Sequence, residues 1–251
     1  MLTVICTFAN AQKSDITKTG LNFGPLPCIA YDADKGFQYG ALLNIYDYGD
    51  GTPYPNYNSK AYFEVSFFTK GSQMYTVTYD NKNLIPGVRW SSAISSSIDK
   101  AMDFYGFNGY ESYYDYGRIE AGNANKKSTQ DPEKYIFTPY YRAGRVLILG
   151  KTDFIGKITE HLQWEAGYQM NWFKEGAIDR TSINKGKPDY NIFPDSEPTL
   201  YENYVKWGII SPEEAAGGLT SSIRLGLVYD SRDKEGAPTR GIWAEGHLIA
   251  A

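Results

Sequence analysis

The sequence predicts an all-β fold, an antiparallel transmembrane β-barrel of which about nine strands are present. Three observations lead to this prediction: segments of alternating polarity, turn-forming residues between them, and an unusual composition. The 251 residues include 22 Tyr, 12 Phe, 5 Trp and 25 Gly. Aromatic residues favour strands and glycine favours turns. The chain contains no apolar run of the roughly 18 residues that a membrane helix needs, whereas a membrane strand needs only about ten alternating residues.

The clearest strand is predicted over residues 161–172, where the even-numbered side chains are apolar and the odd-numbered positions hold polar residues or glycine. Residues 60–70 and 37–46 also alternate. Weaker alternation predicts further strands at residues 26–32, 73–80, 88–98, 135–150, 222–230 and 241–250. Most of these nine segments exceed the five or six residues usual in soluble sheets, as a tilted membrane strand requires. Their apolar face is predicted to contact lipid and their polar face to line the lumen.

The connections provide a separate test, because bacterial barrels have short periplasmic turns and long external loops. Counting from a periplasmic N-terminus places the two longest connections, residues 99–134 and 175–221, outside the cell. Residues 84–87, 151–157 and 233–241 then form periplasmic turns, while residues 49–59 are long for such a turn. A short helix is predicted near residues 211–214, with Ser211 as its cap and Pro212 in its first turn.

Residues 1–11 are predicted to be the remnant of a secretory signal peptide, followed by the barrel over residues 12–251. An apolar stretch precedes Ala9-Asn10-Ala11, a pattern that signal peptidase accepts, and cleavage is expected after Ala11. A buried first strand is the alternative. Cys6 falls within the leader, which leaves Cys28 without an intrachain partner and predicts no disulfide.

The sequence predicts no enzyme and no catalytic, cofactor-binding or metal-binding residues. A net charge of −4 without clustered Lys and Arg argues against a nucleic-acid partner. The two histidines, His161 and His247, are predicted to be lumen-facing residues without a carboxylate or Cys at ligand spacing. Four aromatic residues are predicted at the membrane interfaces, although a two-layer β core would also bury them: Tyr79, Trp90, Trp172 and Trp243.

Residues 225–246 (LGLVYDSRDKEGAPTRGIWAEG) contain a strand, a turn and the start of another strand. This segment resembles the signature of the BamA and bacterial surface antigen superfamily of outer-membrane barrels. The matching residues are Gly226, Tyr229, Asp230, Arg232, Asp233, Pro238, Arg240 and Gly241. Physically, Gly241 relieves a tight turn, Pro238 restricts the backbone, and the charged residues can pair at the periplasmic rim. Residues 23–40 also resemble the first hairpin of such barrels.

The resemblance implies sixteen strands, so further strands are expected beyond Ala251. Periplasmic POTRA domains are not expected, because too few residues separate the predicted cleavage site from the first strand. The implied function is membrane protein insertion or translocation from the outer membrane, with lipid and other outer-membrane or secreted proteins as partners. A passive pore or a surface antigen with ligand-binding external loops is one alternative, and a secreted soluble β-sandwich that binds glycans is another. The oligomeric state stays open.

Overall fold

A computed structural model describes residues 17–33, 35–109, 114–119, 137–187, 192–234 and 237–251. The predicted leader lies outside these ranges. The described residues form one sheet of nine antiparallel strands in chain order, which confirms the all-β prediction. The strands are β1 (Leu21–Asp32), β2 (Gly36–Asp47), β3 (Ser59–Phe68), β4 (Gln73–Ile85), β5 (Val88–Asp103), β6 (Arg142–Lys157), β7 (Leu162–Gly176), β8 (Gly218–Asp230) and β9 (Trp243–Ala250). Within the described residues β1 and β9 are the two edges, so the sheet is open.

Each predicted strand corresponds to one observed strand, but the prediction for β6 is displaced. Residues 135–150 were predicted as strand and residues 151–157 as a turn, whereas β6 extends to Lys157 and the turn comprises residues 158–161. The polar run at Lys151 and Asp153 resembles a turn in sequence. In the structure, however, Asp153 lies on the polar face of the sheet and is ion-paired with Arg224 of β8. The start of the prediction is also wrong, because a 3-10 helix occupies Thr138–Tyr141.

The two faces of the sheet differ in polarity along all nine strands. Residues that are paired across adjacent antiparallel strands share a face, so the registers assign every strand position to one face or the other. One face, here named the apolar face, carries many large hydrophobic side chains that are exposed. They include Leu21, Phe23, Ile29, Tyr31, Phe37, Tyr39, Phe63, Val65, Val77, Ile94, Phe154, Trp164, Tyr168, Leu219, Ile223, Leu225, Leu227, Tyr229 and Leu248.

Aromatic side chains form rows near both ends of the apolar face. Phe67 contacts Tyr39 and Tyr75 at ring-centroid distances of 5.8 and 6.1 Å. Toward the other end, Trp90 contacts Tyr79 and Phe154 at 5.2 and 6.3 Å. Tyr79 and Trp90, both predicted at the membrane interfaces, are therefore in contact on the apolar face.

Trp172 also lies on the apolar face, opposite Ile148 and Leu219 in the adjacent strands. Trp243 does not, because it is paired with Asp230 on the opposite face, where the Arg232 guanidinium lies 5.7 Å from its ring. The prediction of Trp243 as a member of an aromatic girdle is wrong, since its register places it with the charged end of β8.

The opposite face, here named the polar face, is built from charged residues, serines and glycines. Asp80 and Arg89 are 2.7 Å apart, and Asp99 is bonded to both Lys35 and Arg145, at 2.6 and 3.0 Å. Asp99 is only 2% exposed despite its charge. Buried charges must be paired, and these contacts satisfy that requirement on a face that has few buried apolar residues, Val228 among them.

The long connections fold together at one end of the sheet. The described parts of the β5–β6 loop, residues 104–141, and of the β7–β8 loop, residues 177–217, lie at the same end as the short β1–β2 and β3–β4 turns, as predicted from their parity. The β7–β8 loop contains α1 (Arg180–Asn184), α2 (Leu200–Lys206) and α3 (Pro212–Ala215). Ser211 caps α3 with Pro212 in the first turn, which confirms the predicted helix. None of the helices in the described part of the chain has the length and apolar character needed to span a bilayer.

We name the described parts of these two loops the loop cap, because they share a hydrophobic core. This core consists of Phe104, Ile119, Tyr141, Ala143, Leu200, Tyr201, Tyr204 and Ile210. Tyr204 is fully buried and its ring lies 5.5 Å from that of Phe104. Thr199 begins α2 with a capping box shared with Glu202. The loop cap is therefore a folded unit with its own buried apolar core, and Phe107, Tyr116 and Trp207 are exposed on its surface.

Candidate functional site: a charged network on the polar face

Four strands contribute to one network of charged side chains on the polar face. Arg224 of β8 donates from Nη2 to Asp153 Oδ1 of β6 at 2.6 Å and to Glu165 Oε1 of β7 at 2.7 Å. The other oxygen of Glu165 lies 2.8 Å from His247 Nε2 of β9. Asp153 and Glu165 are 5% and 6% exposed. One guanidinium thus bridges two buried carboxylates that would otherwise repel each other, and Lys151, 3.9 Å from Asp153, is a second cation beside the pair.

Glycine makes these contacts possible, because the partners are separated by an intervening strand. Glu165 is opposite Gly226, and Gly226 is opposite His247, so the His247–Glu165 contact passes over Gly226. A Cβ atom at Gly226 would collide with the His247 ring. Asp153 and Arg224 likewise meet over Gly167, where a Cβ would collide with the Asp153 carboxylate. Gly226, a residue of the predicted signature, therefore has a defined role in packing this network.

The network also contains a set of possible metal ligands. The carboxylates of Glu165 and Glu245 and the imidazole of His247 offer ligand atoms that all lie within 4.8 Å of one another. The prediction that His247 has no carboxylate at ligand spacing is therefore wrong. Glu245 and His247 alternate on β9 and so share its polar face, which is a signal that the sequence did contain. Arg224 and His247 already contact both oxygens of Glu165, so this carboxylate has its hydrogen-bond partners without a metal ion.

The predicted signature residues lie at the adjoining end of β8 and in the β8–β9 turn. Asp230 accepts bonds from Arg232 Nε and Nη2 at 2.8 and 2.9 Å, a bidentate pair. Tyr229 lies on the apolar face beside His161, with ring centroids 6.1 Å apart. The carbonyl oxygen of His161 accepts the backbone N–H of Asp230 at 2.8 Å, which ties the β6–β7 turn to the end of β8.

Asp233 organises the rest of the turn. It accepts bonds from the backbone and hydroxyl of Thr239, at 2.9 and 2.6 Å, and from the backbone N–H of Arg240 at 3.3 Å. The Thr239 hydrogen bonds lower the pKa of Asp233 below its usual value. Gly241 has φ = 104°, and a Cβ there would collide with the Ser231 backbone, so the turn requires glycine at this position. Pro238 lies on the exposed side of the same turn. The signature residues are thus brought together, except Tyr229, which faces away from the charged group.

A concavity of about 670 Å³ opens on the polar face between the network and this turn. It is lined by Arg224 and Glu165 of the network and by three charged residues at the strand ends, Asp230, Arg232 and Glu245. Charged groups of both signs line it, which suits water and polar solutes more than an apolar ligand.

Comparison with known proteins adds no assignment. No protein-family model matches the chain, and a search of curated proteins also finds no match. The resemblance to the BamA and surface antigen superfamily therefore depends on the signature residues and the segment at residues 23–40 alone.

Proposed function

We propose that the chain is the N-terminal part of an outer-membrane β-barrel, exported through a signal peptide and embedded in lipid through the apolar face. The observation that carries this proposal is the polarity of the single sheet. Nine consecutive strands expose large hydrophobic side chains on one face and bury ion pairs on the other. In water, an exposed apolar surface of this extent would be a strong liability for aggregation. Lipid removes that liability.

The geometry of the connections supports the same function. The described parts of the longest two connections form the loop cap at one end of the strands, while the connections at the other end, residues 48–58, 86–87, 158–161 and 231–242, have at most 12 residues each. This asymmetry is typical of bacterial barrels, in which the short turns are periplasmic. An open sheet leaves two unpaired edges, which a barrel removes by closure. The family resemblance implies a barrel of sixteen strands and therefore further strands beyond the nine described.

Two roles remain open for such a barrel. Insertion or translocation of other proteins is implied by the signature around Asp230 and Arg232. The alternative, a passive pore or a surface antigen, is favoured by the loop cap, which presents a folded surface at the end proposed to be external. Conductance of the full-length protein in planar bilayers, compared with insertion of a client barrel into liposomes, separates these roles. A secreted β-sandwich needs two packed sheets, and the described residues form only one.

Fractionation of a Gram-negative host that expresses the exported full-length protein tests the membrane location. We expect the wild-type protein in the outer-membrane fraction, requiring detergent for extraction. Tyr168→Arg should prevent its accumulation there, because a charge at mid-bilayer costs about 2 to 4 kcal/mol. Tyr168 is 44% exposed on the apolar face.

Gln169→Arg provides the matched control, since the adjacent residue points to the polar face and an arginine there remains hydrated. It should accumulate like the wild type. Recovery of the wild-type protein in the aqueous fraction without detergent, or equal tolerance of the two substitutions, would contradict the proposal.

A further inference from the structure

A second cavity, separate from the charged network, lies where the loop cap meets the ends of the strands. It has a volume of about 470 Å³, within the range of small-molecule sites. Its wall contains four basic residues, namely Lys70, Lys100, Arg142 and Lys187. Phe137 and Phe193 of the loop cap form an apolar part of the same wall. The cavity thus combines positive charge with aromatic surface.

The acidic residues bonded to this wall do not balance its charge. Lys100 lies 3.5 Å from Asp179, and Arg142 is paired with Asp103 at 2.5 Å. The ammonium group of Lys70 donates to a backbone carbonyl, that of Ala33, at 2.8 Å. Among the residues that the structure describes, four cations and these two carboxylates give a net charge of +2 (4 − 2) at the cavity, in a chain whose net charge is −4. The cavity wall is therefore positively charged although the chain as a whole has a negative net charge.

Lys187 differs from the other three basic residues of the wall, whose side chains have polar partners. Its side chain is half-buried, and burial lowers its pKa below the usual lysine value. Within the described ranges the structure shows no ion pair for Lys187. Removing a lysine from water without a nearby anion is unfavourable, so an anion in the cavity would stabilise the charged form.

The wall is held in place before any ligand binds. Asn184 at the end of α1 makes two hydrogen bonds with the backbone of Phe193, at 2.8 and 2.9 Å. Arg180 lies 5.1 Å from the Phe193 ring and forms a bidentate pair with Glu202 of α2. Phe193 is only 1% exposed. A pre-formed site avoids most of the entropy cost of ordering a loop on binding.

We propose that this cavity binds a small organic dianion, such as a phosphate monoester or a dicarboxylate, with the charged end near the basic residues and an apolar body against Phe137, whose ring packs on the buried Phe193 ring. The net charge of +2 matches a dianion, and Lys and Arg side chains are the usual ligands of phosphate and carboxylate groups. The hydroxyl group of Ser182 accepts a bond from Lys100 at 3.0 Å and donates to Asp179 at 2.7 Å, which holds Lys100 at the wall. This inference depends on the loop cap and not on the membrane location.

Titration calorimetry of the full-length protein in detergent tests the proposal, with phenyl phosphate as the probe. We expect saturable binding that weakens as ionic strength rises, and weaker binding of inorganic phosphate, which lacks the apolar body. Benzyl alcohol, which lacks the charge, should not bind. Lys187→Gln should lower the affinity for phenyl phosphate by about tenfold, the loss expected for one charged hydrogen bond.

Lys157→Gln is the matched control, since it removes the same charge from an exposed residue at the opposite end of the sheet. It should bind like the wild type, and circular dichroism should show that both variants are folded. Absence of phenyl phosphate binding to the wild type, or equal loss in the two variants, would overturn the proposal. Dioctanoyl phosphatidic acid carries the same group on a lipid, and its binding in place of phenyl phosphate would also overturn it, by identifying a lipid headgroup as the ligand.

Discussion

The sheet and the loop cap distribute their apolar residues in opposite ways. In the loop cap, Leu200 and Tyr204 are almost completely buried, and charged residues such as Glu213 lie outside. In the sheet, Leu225 is 55% exposed, whereas Asp153 and Glu165 are buried. The loop cap therefore has the arrangement of a water-soluble domain, stabilised by hydrophobic burial. The sheet has the reverse arrangement.

The difference between the two regions indicates what stabilises each of them. The loop cap needs complementary packing of aromatic and aliphatic side chains around Phe104 and Tyr204. The sheet depends on its backbone ladder and on the bonds that satisfy the charges of the polar face. Substitutions that remove a charge should therefore damage the sheet, and substitutions that create a cavity should damage the loop cap. The three predictions below separate these two contributions.

The largest effect is expected for Arg224→Met, which removes the cation shared by Asp153 and Glu165. Loss of this shared partner should cost about 3 to 5 kcal/mol, because the contacts that remain, from Lys151 at 3.9 Å to Asp153 and from His247 to Glu165, do not replace it. Urea-induced unfolding of the protein in lipid vesicles, followed by circular dichroism of the sheet, measures the loss. The triple variant Arg224→Met, Asp153→Asn, Glu165→Gln should recover most of the stability, because it leaves no buried charge behind. A triple variant no more stable than Arg224→Met alone would show that charge balance is not what the sheet requires.

A smaller and more local effect is expected for Leu200→Ala in α2. Leu200 is 1% exposed in the core of the loop cap, and its truncation should cost about 3 kcal/mol through lost contacts and the cavity that remains. Limited proteolysis should then cut residues 177–217 faster, while the circular dichroism of the sheet stays unchanged. Leu219→Ala is the control, because Leu219 is 62% exposed on β8. Parallel loss of sheet and loop cap in Leu200→Ala would show that the two regions do not fold separately.

The strands were predictable from the sequence because their signal is local. Alternation with period two assigns every second residue of β2, β3 and β7 to one face, and the registers confirm these assignments. The capping of α3 was predictable for the same reason, since Ser211 and Glu214 are neighbours along the chain. The end of β6 was predicted wrongly because the interaction that places Asp153 in a strand is not local in sequence. Asp153 belongs to a strand because Arg224 neutralises it from two strands away.

The charged network was not predictable, because its contacts depend on register between distant segments. Glu165 and His247 are 82 residues apart, and they meet only because Gly226 lies between them. The core of the loop cap was missed for a similar reason. Phe104 follows β5, whereas Tyr201 and Tyr204 precede β8, and no sequence periodicity connects them. The cavity that contains Lys187 depends on the same association of loops.

The smallest effect concerns the pH dependence of the loop cap, through Glu202 at the start of α2. Burial alone would raise the pKa of Glu202, but hydrogen bonds from Arg180 and from the Thr199 backbone outweigh it and lower the pKa below the usual value. A carboxylate with a lowered pKa stabilises the folded state above its unfolded pKa, about 4.3, and this stabilisation is lost as the pH falls through the folded value. The loop cap should therefore loosen below about pH 4, by about 1 kcal/mol, the usual contribution of a helix cap.

Hydrogen exchange of the α2 amides at pH 3.5 and pH 7, corrected for intrinsic rates, measures this change. Glu202→Gln should exchange faster than the wild type at pH 7 and lose the dependence on pH. Glu213→Gln makes the same substitution at an exposed position of α3 and should behave like the wild type. In the strands, amide exchange at pH 3.5 and pH 7 should be the same in Glu202→Gln as in the wild type. The observed hydrogen bonds of Glu202 are all within the loop cap. If protection of the sheet amides fell together with that of α2 in Glu202→Gln, the loop cap and the sheet would be one cooperative unit despite their opposite construction.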